Sequence, residues 1–328
     1  MKTGHLTAGC CLLSAALYAS GSAPIAHAQG YPAKPVRLVV GGPAGGGADV
    51  IMRPMAQRLS EQMGQQVIVD NRPGAGSIIS GQIVMATPAD GYTLLQASSS
   101  GFAVSPFLQK KQPYDPERDF TPVTMVAIAP MLITVNPALP VRSVKDLVGL
   151  AKAKHNQLLY GSNGQGSFSH LTTELFSRTA GISMTHVPYK GGTPAVIDTV
   201  SGQVQLIITA LPTLISQVKA SRLRAIAVTS TKRSSAVPDL PTVAESGYPG
   251  FESVQWYGVF APKGTPSAIT ERLYYEIRKA GESPALKTPL AQEGAELIVN
   301  GPQQLAAYLN GEIAKWRKVI RDSNIVLE

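Results

Sequence analysis

The sequence predicts an α/β protein with chain enough for two domains. Short β-branched runs alternate with amphipathic helical stretches along most of its length, the pattern that folds into strands crossed over by helices. The chain has 328 residues, 44% of them hydrophobic, and a mean hydropathy of +0.06, which suits a globular protein with more than one core. Twice, a glycine-rich loop falls between a strand-like run and a helix. In α/β sheets that junction exposes backbone amides.

The first 28 residues stand apart from this pattern. Lys2 gives a short basic start, LTAGCCLLSAALYA is an apolar core, and Ala26-His27-Ala28 is a small-x-small cleavage site, so 1–28 reads as a signal peptide cleaved after Ala28. The apolar run is too short to span a bilayer. Cys10 precedes most of that core, which argues against lipidation there. The expectation is an exported, periplasmic protein whose mature chain begins at Gln29.

The expected strands of the mature chain are VRLVV (36–40), QVIVD (66–70), YTLLQA (92–97), MLITV (131–135), LLYGS (158–162), MTHVPY (184–189), VQLIIT (204–209), LRAIAVT (223–229), WYGVFA (256–261) and AELIV (295–299). Helices are expected between them, among them ADVIMRPMAQRLSEQM, SFSHLTTELFSRTA and TERLYYEIRKA. Ser143 followed by Asp146 has capping-box spacing. The alternation predicts largely parallel sheets. The long helix GPQQLAAYLNGEIAKWRKVIRDS is expected to pack on the first domain.

Composition excludes several chemistries. Both cysteines, Cys10 and Cys11, leave with the leader, so disulfides, thiolate metal sites and cysteine nucleophiles are ruled out of the mature chain. Loss of Lys2 and of no acid leaves 28 basic against 21 acidic residues. The basic residues are scattered, which suits mild attraction for anions and gives no nucleic-acid footprint. His155 and His186 form no HxxxH pair, so no metal site is expected, and no cofactor.

The first glycine loop is VRLVVGGPAGGGADVIMR (36–53). A Walker loop needs Lys and Ser/Thr after its last glycine, and Ala48-Asp49 stand there; the GxGxxG spacing of a dinucleotide site also fails. The second loop, LLYGSNGQGSFSHL (158–171), offers Ser162, Asn163, Gly164, Gly166 and Ser167, with Ser167 able to cap the following helix. Two such loops fit one anion held from opposite sides. Neither has Lys or Arg among its glycines, which favours a carboxylate over a phosphate.

Taken in order, YPAKPVRLVV, the glycine loop with Asp49, VIVDNRPGAGS, ADGYTLL, PYDPERDF, SNGQGSFSHL, HVPYKGG, LRAIAVTS, PDLPTVAESGYPGFE, WYGVFAPKGTP and EIAKWRKVI give a dense resemblance from Tyr31 to the C-terminus. The chain resembles the Bug-type periplasmic solute-binding proteins of the tripartite tricarboxylate transporter system. The resemblance implies a two-lobed type II periplasmic binding protein fold, with a cleft between two doubly wound domains. It implies lobe 1 at 31–130 plus 255–328 and lobe 2 at 131–254, a monomer, a small carboxylate ligand and membrane transporter subunits as partners.

The family's carboxylate pincer maps onto Pro43, Ala44, Gly45, Gly46 and Gly47 and onto the 162–170 loop with His170. HVPYKGG with Tyr189 and the strand end at Thr209 belong to the cleft wall, and Ser98 completes the candidate ligand-binding set. The resemblance also exposes departures: relatives commonly have Pro-Phe at Gly41-Gly42, Thr at Ala48 and often an acid at Thr209. A missing Phe is expected to leave room beside the first loop. A missing acid removes a partner for a ligand ammonium, which favours di- or aromatic carboxylates over amino acids.

Alternatives stand beside this reading. Ser162 or Ser167 with His170 could sketch a hydrolase, but neither serine has the glycine two before it that a nucleophile elbow requires. A sensor presenting ligand to a signalling receptor would use the same site. Tyr189 either faces the cleft or ends a strand. Trp256 is expected in core or hinge packing and NRPGAGS (71–77) as a structural turn. Asp49 is expected to stabilise the first helical turn or to shape its loop.

Overall fold

The computed structural model describes residues 30–323. The leader, its cleavage after Ala28 and residues 324–328 lie outside them. From the N-terminal side run β1 (Val36–Val40), α1 (Gly47–Met63), β2 (Val67–Asn71), α2 (Ile78–Met85) and β3 (Thr93–Ser98). A π-helical turn over Ser99–Val104 and a 3-10 turn over Ser105–Leu108 lead into β4 (Phe120–Val135). Next come α3 (Val144–Ala153), β5 (Leu159–Ser162), α4 (Phe168–Ala180), β6 (Thr185–Pro188), α5 (Gly192–Ser201), β7 (Leu206–Ala210), α6 (Leu211–Lys219) and β8 (Arg224–Val228). The chain closes with β9 (Val254–Pro262), α7 (Ser267–Gly281), α8 (Pro284–Gln292), β10 (Glu296–Asn300) and α9 (Pro302–Ser323).

The strands form one curled sheet in the order β2-β1-β3-β9-β4-β7-β5-β6, with β10 and β8 each paired to β4. Its two halves repeat a scheme. β1 pairs in parallel with β2 and β3, and β5 in parallel with β6 and β7. The expectation of largely parallel sheets holds for these strands only. β4 runs antiparallel to β7, β8, β9 and β10, and β9 antiparallel to β3. Such pairs need no helical crossover on the same sheet.

β4 is also longer than its sequence suggests. Only 131–135 reads as a strand, yet pairing begins at Phe120, opposite Pro262. Pro122 and Pro130 hide the first half, because proline lacks the ladder N–H. The register shifts beside Pro122, between it and Thr124, and again between Met125 and Ala127. One end of β4 thus belongs to each half of the sheet.

Burial follows the helical periodicity. Ile51, Met52, Met55 and Leu59 of α1 cover Val36, Leu38 and Val40 of β1, with Leu273 and Ile277 of α7 beside them. Leu211, Leu214 and Ile215 of α6 pack with Ile207 of β7 and Leu132 of β4. Each such side chain contributes about 1.5–3 kcal/mol relative to exposure. The helix start at Ser143 forms as expected: its hydroxyl accepts Asp146 N–H at 3.1 Å, while Asp146 accepts Arg142 N–H at 3.0 Å.

A third apolar cluster joins the halves, with Phe102, Phe260, Trp256, Phe168 and Trp316 within it. Through it α9 packs on the first half, as expected, and also reaches α4 of the second. Trp316 meets Phe168 of α4 edge-on, ring centroids 4.7 Å apart. Trp256 is fully buried on β9 opposite Ile128, in the core rather than on the cavity wall.

Candidate functional site

A cavity of ≈ 570 Å³ opens between the two halves of the sheet, where the C-terminal ends of β1, β3, β5 and β7 face one another. Pro43, Gly46, Gly47, Ser98, Asn163, Gly164, Ser167, Tyr189 and Thr209 of the expected set line it. Ala44, Gly45, Ser162, Gly166 and His170 do not stand on its wall. Sequence reasoning missed Gln96, Thr213, Gln255 and Tyr257 on that wall, while Gln165 and Lys190 fall inside the 162–170 and HVPYKGG stretches it assigned to the site. The 71–77 stretch turns as expected, and its residues Pro73 to Ser77 also line the cavity, which sequence reasoning did not foresee.

The amides of the first loop are already engaged within the protein. Gly45 N–H donates to Asp49 Oδ2 at 3.0 Å, Gly46 N–H to Pro43 O at 3.1 Å, and Gly47 N–H to Thr213 Oγ1 at 2.9 Å, across the cavity. Ala48 N–H, the next amide of the first turn of α1, has no partner among the described residues. Glycine is required at 47 by close approach, since a Cβ there would lie 2.9 Å from Tyr257 OH and 3.0 Å from Thr213 Oγ1. Opposite, Gly191 (φ +115°) lets the chain pass Pro43, whose Cγ would lie 2.9 Å from an added Cβ.

Asp49 shapes this loop. Burial pushes its carboxyl up, but hydrogen bonds from Arg53, from Gly45 N–H and from Asn71 outweigh it and hold the group below the usual carboxylate range. Of the two departures at 41–42, only Gly42 would take a Cβ without a clash, at 3.7 Å from the Ala48 Cβ. A Cβ at Gly41 would lie 2.7 Å from the Ser77 Cβ and the Ser80 Oγ, so residues 77–80 occupy the room expected there.

The second loop is engaged in the same way. Ser167 Oγ accepts His170 N–H at 3.2 Å and so caps α4, as its sequence predicts. Phe168 N–H reaches across to Ser100 Oγ at 3.0 Å, and Ser105 Oγ donates to Gly166 O at 2.9 Å. Behind the loop, Tyr160, His186 and His170 form a stack. His170 Nδ1 accepts Gly166 N–H at 3.2 Å, and His186 Nε2 lies 2.6 Å from Ser162 Oγ. Burial, with His186 beside it, pushes His170 down to about 3; burial pushes His186 down to about 4.

These contacts correct the Ser/His sketch. Ser162 pairs with His186 rather than His170, and it is fully buried behind the cavity wall. Ser167 meets His170 only through the backbone N–H that it caps.

The free polar groups on the wall are therefore mostly side chains. The side chains of Ser98, Gln165, Gln255 and Tyr257 hydrogen-bond to no group among the described residues; the Asn163 amide is bonded only through its oxygen, which accepts from Thr209 at 3.1 Å. Tyr189, directly after β6, lines the cavity while its hydroxyl donates to Asp198 at 2.8 Å, so it faces the cleft from the strand's end. Among the described residues Lys190 is the only charged side chain on the wall, and it has no ionic partner. Ile79, Pro43, Pro73 and the two tyrosine rings supply apolar wall between these groups. Such a surface orients an anion by a few donors and encloses a carbon skeleton.

A curled α/β sheet in two halves with a ligand cavity between them defines a binding protein of the type II periplasmic class. Residues 51–325 match the tripartite tricarboxylate transporter family receptor, and the chain belongs to that family. It is 37% identical over 310 residues to BugT of Bordetella pertussis, covering 94% of this chain and 95% of BugT. Among solved structures it is similar to R. palustris Rpa4515 with adipate (TM-score 0.88, 38% identity, 90% of this chain and 99% of that one). It is also similar to MatC from Rhodopseudomonas palustris with bound malate (TM-score 0.84, 28% identity, 88% and 100%). The family and these neighbours are binding proteins. No helix of the described residues is long and apolar enough to cross a membrane.

Proposed function

We propose that this protein is a periplasmic receptor, exported by its leader, that binds a small carboxylate and delivers it as a monomer to the membrane subunits of a tripartite tricarboxylate transporter. Dicarboxylates and aromatic carboxylates are favoured over amino acids. One observation carries the ligand class: the cavity wall holds one unpaired cation, Lys190, and no acidic side chain among the described residues. An ammonium placed there would be desolvated without an ionic partner, a costly arrangement. The similarity to proteins solved with adipate and malate supports the same class.

Binding without chemistry is the mechanism. The carboxylate accepts hydrogen bonds from Asn163, the glutamines and Ala48 N–H, each charge-assisted bond contributing about 1.5–3 kcal/mol net. A few of these, less ordering costs, give micromolar affinity, about 8 kcal/mol. Lobe 1 (31–130 plus 255–328) and lobe 2 (131–254) close on the ligand by bending at β4 and β9, and contacts from both lobes bias that equilibrium.

Thermal-shift screening over mono-, di- and tricarboxylates, aliphatic and aromatic, beside the matched amino acids, tests this reading. Stabilisation by a diacid and not by its amino-acid counterpart supports it. Stabilisation by amino acids alone, or turnover of an ester, would overturn it.

A further inference from the structure

Thr209 is the last residue but one of β7, opposite Leu132 of β4, and is fully buried although it stands on the cavity wall. Its hydroxyl donates to Asn163 Oδ1 at 3.1 Å. Asn163 follows β5 directly, so the two side chains meet at the ends of neighbouring strands. An amide end can be a donor or an acceptor, and its neighbours decide which face the cavity receives.

Here two neighbours, Thr209 and Gly192, agree. The Thr209 hydroxyl proton takes the amide oxygen. Gly192 leaves room for that oxygen, since a Cβ at 192 would lie 3.1 Å from it. Gly192 also begins α5, whose N-terminal partial positive charge favours oxygen over an NH2 group at that spot. A flipped amide would turn the buried Thr209 hydroxyl from donor to acceptor and take away the one acceptor its proton has in this structure. The NH2 end is thereby left on the cavity wall with no protein partner.

We propose that Thr209 is a positioning residue that sets the polarity of the site. By holding Asn163 with its NH2 toward the cavity, it selects ligands that present an acceptor oxygen there, a carboxylate above all. It works against ligands that present an ammonium. This inference rests on the carboxylate-binding reading and names which residue pair enforces it. Exchange of the hydroxyl for a carboxylate would reverse the sense: an Asp side chain accepts from the amide NH2, so the oxygen would turn to the cavity.

Three variants separate this role from simple packing. Thr209→Val keeps volume and removes the donor, Thr209→Ser restores a hydroxyl, and Thr209→Asp reverses the demand on the amide. Calorimetry reads each against succinate, glutarate and adipate and against aspartate, glutamate and 2-aminoadipate, with thermal melts to verify folding. The wild type should prefer each bound diacid to its amino acid. Loss of one charge-assisted bond in Thr209→Val should weaken the diacid by about tenfold while the amino acid changes little. Thr209→Ser should return to within about threefold of wild type, and Thr209→Asp should shift the ratio toward the amino acid.

Equal weakening of both ligand types by Thr209→Val, or wild-type affinity in it, would overturn the positioning role and leave carboxylate binding intact. Diacid weakened in Thr209→Ser as much as in Thr209→Val would overturn it too. Failure of the wild type to bind any of the three diacids would overturn the aliphatic-dicarboxylate reading and this inference with it.

Discussion

His170 lies face to face on His186, ring centroids 3.9 Å apart and planes 9° from parallel. Both rings are neutral in the fold: burial, with His186 beside it, holds His170 at about 3, and burial holds His186 at about 4. Two imidazolium rings could not share this contact.

The first prediction follows from the sign of these shifts. In the unfolded chain each histidine takes its proton near its ordinary value of about 6.5, whereas in the fold it does so only near 3 or 4. The unfolded state therefore binds more protons below pH 6.5, and stability, full above that value, falls as pH drops toward 4. Melting temperatures should decline across pH 6.5 to 5, above the range where carboxylates titrate. His186→Phe keeps a stacked ring and removes one titrating group, so the slope should drop by about half in that window. An unchanged slope would place the pH dependence elsewhere.

The second prediction concerns the bond from Gly47 N–H to Thr213 Oγ1, which ties α1 to α6 across the cavity. Thr213→Val removes it while keeping volume. A typical hydrogen bond contributes about 1 kcal/mol, so ligand affinity should fall about fivefold and the ligand-free protein should scatter as a more open particle. Gly47→Ala should act more strongly, because its Cβ meets both Thr213 and Tyr257. Calorimetry and small-angle scattering read the two effects. Unaltered affinity in both variants would mean that this bond plays no part in closure.

The strand runs VRLVV and LLYGS, the capping serines Ser143 and Ser167, and the place of the cleft at two glycine loops were legible in the sequence. Each rests on local chemistry: β-branching, side-chain caps, glycine at a strand end. The first half of β4 was not legible, because Pro122 and Pro130 imitate a break that pairing with β9 overrides. Nor was the loop at 73–77, whose turn residues say nothing about what the turn faces. Lys190 and Gln255 lie 65 positions apart and reach one cavity only through the crossing of β4 and β9. The partner of His170 was hidden for the same reason: His186 sits on β6, parallel to the strand that leads into the loop.

Lys190 supports a third prediction. It is exposed and lines the cavity as its only charge among the described residues. Lys190→Gln should weaken a dicarboxylate modestly, by about two- to fivefold, because an exposed pair is screened. It should leave a monocarboxylate of the same length unchanged. The dicarboxylate's affinity should also lose part of its dependence on ionic strength. Adipate compared with hexanoate at low and high salt gives the measurement. Equal loss for both ligands would assign Lys190 a structural task instead.

The last prediction separates the shape of the first loop from contact with ligand. Asp49 is buried and absent from the cavity wall, yet it holds Gly45 N–H at 3.0 Å and Arg53 Nη2 at 2.5 Å. Asp49→Ala leaves the Gly45 amide without its acceptor, which should cost about 1–3 kcal/mol of stability. Asp49→Asn keeps an oxygen for Gly45 but gives Arg53 no charge to pair with, so its loss should be smaller. Both should weaken ligand, since the loop at Pro43 to Gly47 would no longer be fixed beside Gly191 and Thr213. The pH window is its own. The folded-state value of Asp49 lies below its ordinary one, so its contribution is present above about pH 4 and lost as pH falls below it. Denaturant melts at pH 7 and pH 3 should therefore show the gap between wild type and Asp49→Ala narrowing at the lower pH, whereas His186→Phe alters the region above pH 5. A gap that stays constant across both pH values would show that the carboxylate charge contributes nothing to holding the loop.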